Sequence, residues 1–130
     1  MAMPLNPPEA PGVRALHLQL LARRDTLLEM LRERMRSVRH PNDDAPPPDA
    51  ETASEALLEA DLAVKLAELD REASELEAVN DALTRMEAGN YGNCTDCGAP
   101  IGPQRLAAYP TALHCITCEA RREQAARRPA

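Results

Sequence analysis

The sequence predicts a mainly α-helical protein: an antiparallel coiled-coil hairpin, then a small four-cysteine module and a C-terminal helix. Three observations predict it. Residues 13–39 and 52–88 contain neither Pro nor Gly. The segment between them, residues 40–51, holds four Pro and four acidic residues. All four cysteines follow, as two Cys-x-x-Cys pairs. A length of 130 residues allows one ordinary domain or two small modules. Trp and Phe are absent, and Tyr91 and Tyr109 are the only aromatics of the Phe, Tyr and Trp class. Aliphatic packing along helices must therefore supply most of the buried area. Strand formers are scarce, which argues against an all-β or α/β domain.

The elements follow in order. Residues 1–12 include four Pro and read as a disordered or extended leader. Residues 13–39 read as a helix with a stripe of Leu16, Leu20, Leu27 and Leu31, interrupted at Arg23 or Arg24. Residues 40–51 read as the tip loop. In the second helix, Leu62, Leu66, Leu69, Ala73, Leu76, Asn80 and Leu83 follow alternating steps of four and three. That is a heptad seam, with Asn80 as its one polar member. Thr52 and Glu55 have the spacing of a capping box, and Gly89 is placed to stop the helix. At ~1.5 Å per residue the helices span about 40 and about 55 Å, so the second is expected to run on to the cysteine module. Neither helix can stand alone, but two stripes can cover each other in a hairpin. The expected organisation is thus a leader 1–12, a hairpin 13–88 and a module 89–130.

Charge supports the pairing. Residues 13–39 carry seven Arg and three acids, a net of +4, whereas residues 43–87 carry fourteen acids and three bases, a net of −11. Exposed pairs contribute only about 0.2–1 kcal/mol each, so charge selects the partner helix more than it stabilises the fold. An intramolecular hairpin favours a monomer.

Cys94-Thr-Asp-Cys97 is followed, after 17 residues, by Cys115-Ile-Thr-Cys118. Two such pairs at this separation fit a four-thiolate zinc site. Four ligands close the coordination shell of one structural zinc ion and leave no open position for a catalytic water. Disulfides suit an exported chain, and the N-terminus has no basic and apolar export signal. One Cys-x-x-Cys pair suits a redox dithiol, and two pairs argue for metal. Iron takes the same ligands, and spacing alone does not separate it from zinc. A module this small holds little apolar core. Zinc supplies ~10 kcal/mol or more of apparent folding free energy in such units. His114 beside Cys115 is expected to be a bystander. Residues 119–128 read as a closing Arg-rich helix.

Several functions lose ground. The net charge of −6 argues against binding a phosphate backbone, and two Tyr make no stacking platform for bases. No apolar run approaches a membrane span. No Ser/His/Asp set or phosphate loop is present, and His17, His40 and His114 fall in separate segments, so an enzyme is not expected. The expected compartment is the cytoplasm.

The stretch Tyr91-Gly92-Asn93-Cys94-Thr95-Asp96-Cys97-Gly98, with Ile101-Gly102, Arg105-Leu106, Pro110-Thr111-Ala112 and Cys115-Ile116-Thr117-Cys118, resembles the DksA/TraR family of bacterial transcription regulators. Met86-Glu87-Ala88-Gly89 before it agrees as well, and the likeness covers roughly residues 13–125. The resemblance implies a protein that binds RNA polymerase rather than specific DNA. Its hairpin would enter the polymerase secondary channel and alter open-complex stability. The family's tip pattern, Asp-x-x-Asp-x-Ala, falls on Glu51, Ser54 and Ala56 when counted back from Cys94 without gaps. A slipped register brings Asp49 and Ala53 to the tip instead. Ser54 lacks the charge-assisted hydrogen bonds of a carboxylate. Arg71 falls where the family has a basic residue on the coiled-coil flank. Positions that contact guanosine tetraphosphate in the name-giving member fall on Ala78, Tyr109 and Glu119. None offers a cation, so weak or absent binding of that nucleotide is expected. The altered tip keeps a second function in view, a zinc-stapled helical adaptor for some other protein.

Overall fold

The computed structural model describes residues 11–40 and 55–127. The expected leader up to residue 10, the tip loop from residue 41 on and the Thr52 cap lie outside these residues. Four helices follow one another: α1 (Pro11–Arg39), α2 (Glu55–Ala88), α3 (Pro103–Ala108) and α4 (Ile116–Arg127). No strand occurs among the described residues, and the isolated bridge Asn93–Pro100 takes its place in the cysteine module.

Local chemistry explains the helix ends. Pro11 opens α1, where its missing N–H costs nothing and its φ suits a helix. Arg36 and Arg39 in the last turn of α1 offset the negative end of its dipole, and Pro41 two residues later cannot continue the helix. Glu55 sits in the first turn of α2 and Arg85 in its last, both favourable to that dipole. Gly89 then turns left-handed, with φ 80°. Its N–H donates to Met86 O at 3.2 Å, and Asn90 N–H donates to Arg85 O at 3.0 Å. This crossed pair is the Schellman stop, and it satisfies two carbonyls that the helix leaves open.

The described chain forms two compact groups. One comprises residues 23–77 and contains facing lengths of α1 and α2. Arg23 pairs with Glu75, and Arg34 with Glu72 and Glu68. Moving forward on α1 moves backward on α2, so the helices run antiparallel. Leu27 is fully buried, while Leu31 and Val38 on α1 and Leu69 and Leu76 on α2 are half-buried. The basic-to-acidic pairing expected from composition is realised in these ion pairs.

The seam of α2 differs in part from the expected one. Leu69, Leu76 and Leu83 lie on it, but the positions between them are Glu72 and Val79, not Ala73 and Asn80. Glu72 is 7% exposed and Val79 1% exposed, whereas Ala73 and Asn80 are on the surface. Asn80 therefore does not fix the register from within. The polar member of the seam is Glu72, neutralised by Arg34, whose Nε donates to Glu72 Oε1 at 2.5 Å.

The other group joins residues 11–22, residues 78–108 and α4. Its core holds Leu20, Val79, Ala82, Leu83, Met86, Tyr91, Ile101 and Leu106, all buried. Aliphatic side chains supply most of it, with Tyr91 the one large aromatic. Helix α4 starts at Ile116, three residues ahead of the expected 119, and so carries Cys118 in its first turn.

Candidate metal centre

Two backbone knuckles build the centre. After the Gly89 stop, Gly92 adopts φ 89° and the chain folds back at the Asn93–Pro100 bridge. Ile101 N–H donates to Gly92 O at 2.8 Å, and Cys94 N–H to Ala99 O at 2.8 Å. The turn between them closes with Gly98 N–H on Cys94 O at 2.9 Å. Gly98 has φ 77°, a conformation that L side chains rarely adopt. It places Cys94 and Cys97 side by side. The second knuckle is the start of α4, where Glu119 N–H donates to Cys115 O at 2.9 Å and Cys118 lies one turn along. Thr95 N–H donates to Leu113 O at 2.9 Å and ties the knuckles together.

The four sulfurs converge. All lie within 4.8 Å of one another. Cys97 Sγ and Cys115 Sγ are 3.8 Å apart. A tetrahedron with metal–sulfur distances near ~2.3 Å has edges of about 3.8 Å, so the donor set fits zinc. Cys94 and Cys118 are buried, Cys115 half-buried and Cys97 exposed. Burial opposes ionisation of Cys94, but backbone hydrogen bonds at Cys115, Cys97 and Asp96 outweigh it and lower its pKa. Contacts with the Cys115 and Cys94 sulfurs, then burial, hold the Cys118 thiol protonated well above the ordinary range. Four adjoining thiolates repel one another, and a divalent cation removes that repulsion.

Side chains outside the cluster brace it. Arg122 grips Asp96 with two bonds, Nε to Oδ2 at 2.8 Å and Nη2 to Oδ1 at 2.9 Å, and so joins α4 to the first knuckle. His114 Nδ1 lies 3.1 Å from Glu119 Oε2, a carboxylate that accepts the ring N–H. Arg105 Nε donates to His114 O at 3.0 Å. Tyr91, fully buried, donates its hydroxyl to Pro110 O at 2.7 Å. Burial drives its pKa up to about 12. The Arg85 guanidinium lies 6.0 Å from the Tyr91 ring centre.

A family model for the prokaryotic dksA/traR C4-type zinc finger matches residues 89–124. The RNA polymerase-binding transcription factor DksA of Caulobacter vibrioides (strain NA1000 / CB15N) is 36% identical over 96 residues, covering 74% of this chain and 67% of the relative. DksA of Escherichia coli (strain K12) is 32% identical over 117 residues, covering 85% of this chain and 76% of the relative. The chain belongs to the DksA/TraR family. Among solved structures, transcription factor DksA2 from Pseudomonas aeruginosa matches with a TM-score of 0.76 at 29% identity, covering 92% of this chain and 89% of that one. As a DksA/TraR protein with four converging cysteines, the chain carries one structural zinc ion.

The other expected site residues fall elsewhere. Asp49, Glu51 and Ser54 lie outside the described residues. Ala56, in the first turn of α2, and Arg71, farther along it, are exposed. Of the nucleotide-site positions, Ala78 and Glu119 are half-buried and Tyr109 is 63% exposed. Sequence reasoning missed the Arg122–Asp96 brace and the Arg34–Glu72 layer. Each is one Arg among many in the sequence, and only the fold pairs it. Helix α3 was also missed, although Gly102-Pro103 ahead of Leu106 is a helix-start signal.

Proposed function

We propose that this chain is a cytoplasmic transcription regulator that binds RNA polymerase, is not an enzyme, and acts as a monomer without sequence-specific DNA binding. The reading rests most on one observation: the fold matches that of transcription factor DksA2 over 92% of the chain with a TM-score of 0.76. The relatives' printed description, RNA polymerase-binding transcription factor, supplies the partner. No described helix is long and apolar enough to cross a membrane.

In this reading Cys94, Cys97, Cys115 and Cys118 are the zinc ligands. The leader is residues 1–12, of which Pro11 and Gly12 already belong to α1, the hairpin is 13–88 with its tip loop 40–51, and the finger module is 89–130. The hairpin enters the secondary channel tip first. Asp49, Glu51, Ser54 and Ala56 act at the tip, and Arg71 meets the polymerase rim. Guanosine tetraphosphate binds weakly or not at all, because Ala78, Tyr109 and Glu119 offer its phosphates no cation.

Binding of the zinc-loaded chain to core RNA polymerase, with competition by a known secondary-channel factor, tests the proposal. Displacement is expected. Binding that the competitor leaves untouched would remove the channel from the reading, and absence of binding would favour the adaptor function. Ser54→Asp is expected to strengthen promoter inhibition.

A further inference from the structure

The four cysteines do not face solvent alike, and one ion pair spans the two knuckles that carry them. Cys94 and Cys118 are buried, whereas Cys97 is exposed. Asp96 stands immediately before Cys97, inside the first knuckle. Arg122 stands four residues after Cys118, one turn farther along α4 and on the same face. The pair therefore links the turn that ends in the exposed cysteine to the helix that carries a buried one. The guanidinium fork meets the carboxylate squarely, with Nε on Oδ2 at 2.8 Å and Nη2 on Oδ1 at 2.9 Å. A backbone bond from Thr95 N–H to Leu113 O crosses the same gap. His114 approaches Asp96 from the other side, its Nε2 3.8 Å from Oδ2.

We propose that Arg122 is a positioning residue for the metal: through Asp96 it holds Cys97 in register with Cys118 and so tightens the grip of the four sulfurs on zinc. The inference rests on the reading of Cys94, Cys97, Cys115 and Cys118 as the zinc ligands, and it is independent of polymerase. Residues that orient a ligand without touching the metal set its affinity, because a donor that is free to move must be ordered when the ion binds. The Asp96 side chain is 35% exposed and that of Arg122 56% exposed, and pairs of this kind add little to the stability of a whole fold. Here the consequence is local, since the knuckles are held by their sulfurs and a few turn hydrogen bonds. Charge alone gives Asp96 the opposite role. Four thiolates and a divalent ion carry a net negative charge, beside which a carboxylate is unfavourable. Asp96 therefore serves the centre as the anchor of the arginine and not by its own charge.

Competition for zinc between the full chain and a chromophoric chelator tests this. Arg122→Ala and Asp96→Ala are each expected to weaken zinc binding about tenfold, the lower end for residues that orient a metal ligand, because the pair is partly exposed. The double variant should lose no more than either single one, because the two act as a unit. Arg122→Lys keeps the charge but not the fork, and should fall between. Arg121→Ala, the exposed neighbour on α4, should change nothing. Cobalt-loaded forms of every variant should keep the absorption of a four-sulfur site, which places the loss in grip and not in ligand set. Unchanged zinc binding by Arg122→Ala overturns the proposal. So does zinc binding by Asp96→Ala that equals or exceeds that of the unaltered chain, because Arg122 then acts by charge alone. Additive losses in the double variant, or an equal loss in Arg121→Ala, overturn it as well. Should Arg122→Ala fail to fold with zinc, Arg122→Lys and Asp96→Ala still decide, since each must lose affinity. An unaltered chain that binds no zinc, or whose cobalt form shows fewer than four sulfurs, fells the ligand reading and the inference with it. Four-sulfur binding that the variants leave untouched fells the inference alone.

Discussion

Arg34 on α1 and Glu72 on α2 form an ion pair inside the helical seam, with Glu72 only 7% exposed and the Arg34 Nε 2.5 Å from its carboxylate. Glu68 completes the arginine's carboxylate partners. Removing one partner strands a buried charge, whereas replacing both with apolar residues restores a continuous seam. Arg34→Met is therefore expected to lower the melting temperature. Arg34→Met combined with Glu72→Leu should recover it to the original value or above. Thermal melts followed by circular dichroism check both. A double variant less stable than Arg34→Met would mean that the pair does more than neutralise itself.

Acid should loosen the hairpin through Glu75. The hydrogen bond from Arg23 holds the Glu75 carboxyl below its ordinary value of 4.5. A carboxylate with a depressed folded pKa stabilises the fold above its unfolded value, and that contribution is lost as pH falls through the folded pKa. Stability should thus decline below about pH 4.5, and Glu75→Gln should flatten that part of the curve. Denaturant midpoints from pH 7 to 3 give the measurement. The pair is partly exposed, so the effect should also shrink in high salt.

Zinc removal should act locally. Chelation is expected to strip hydrogen-exchange protection from residues 94–118 and α4, while amides of α1 and α2 within residues 23–77 keep theirs. The reason is that the knuckles are held by their sulfurs and a few turn hydrogen bonds, whereas the hairpin group has its own seam and ion pairs. Uniform loss along the chain would contradict this division.

Tyr91→Phe removes the hydroxyl that Pro110 O accepts. The expected cost is about 1–2 kcal/mol, the value for losing one hydrogen bond at a buried site. Denaturant unfolding of the zinc-loaded protein would measure it. In the unaltered protein, ultraviolet titration should find one tyrosine ionising only near about 12.

Much of the architecture was legible in the sequence because it rests on punctuation and period. The Pro-free stretches became α2 and all of α1 but its opening Pro11-Gly12, Gly89 became the stop, and the paired cysteines came together. The seam was half legible. Leu69, Leu76 and Leu83 stood out, but the choice between Glu72 and Ala73, or Val79 and Asn80, depends on the facing helix. Hydropathy favours Ala73 over Glu72, and Arg34 reverses that choice by neutralising the carboxylate. Periodicity also cannot report a six-residue helix such as α3, which is under two turns long.

The Schellman stop has a bearing on how such proteins can be recombined. Only four residues separate Gly89 from Cys94, and the stop itself borrows carbonyls from Arg85 and Met86. A graft that exchanges the cysteine module with a relative should therefore be spliced upstream of Arg85. Cutting at Gly89 would leave the donor knuckle on a joint whose other half belongs to a different protein.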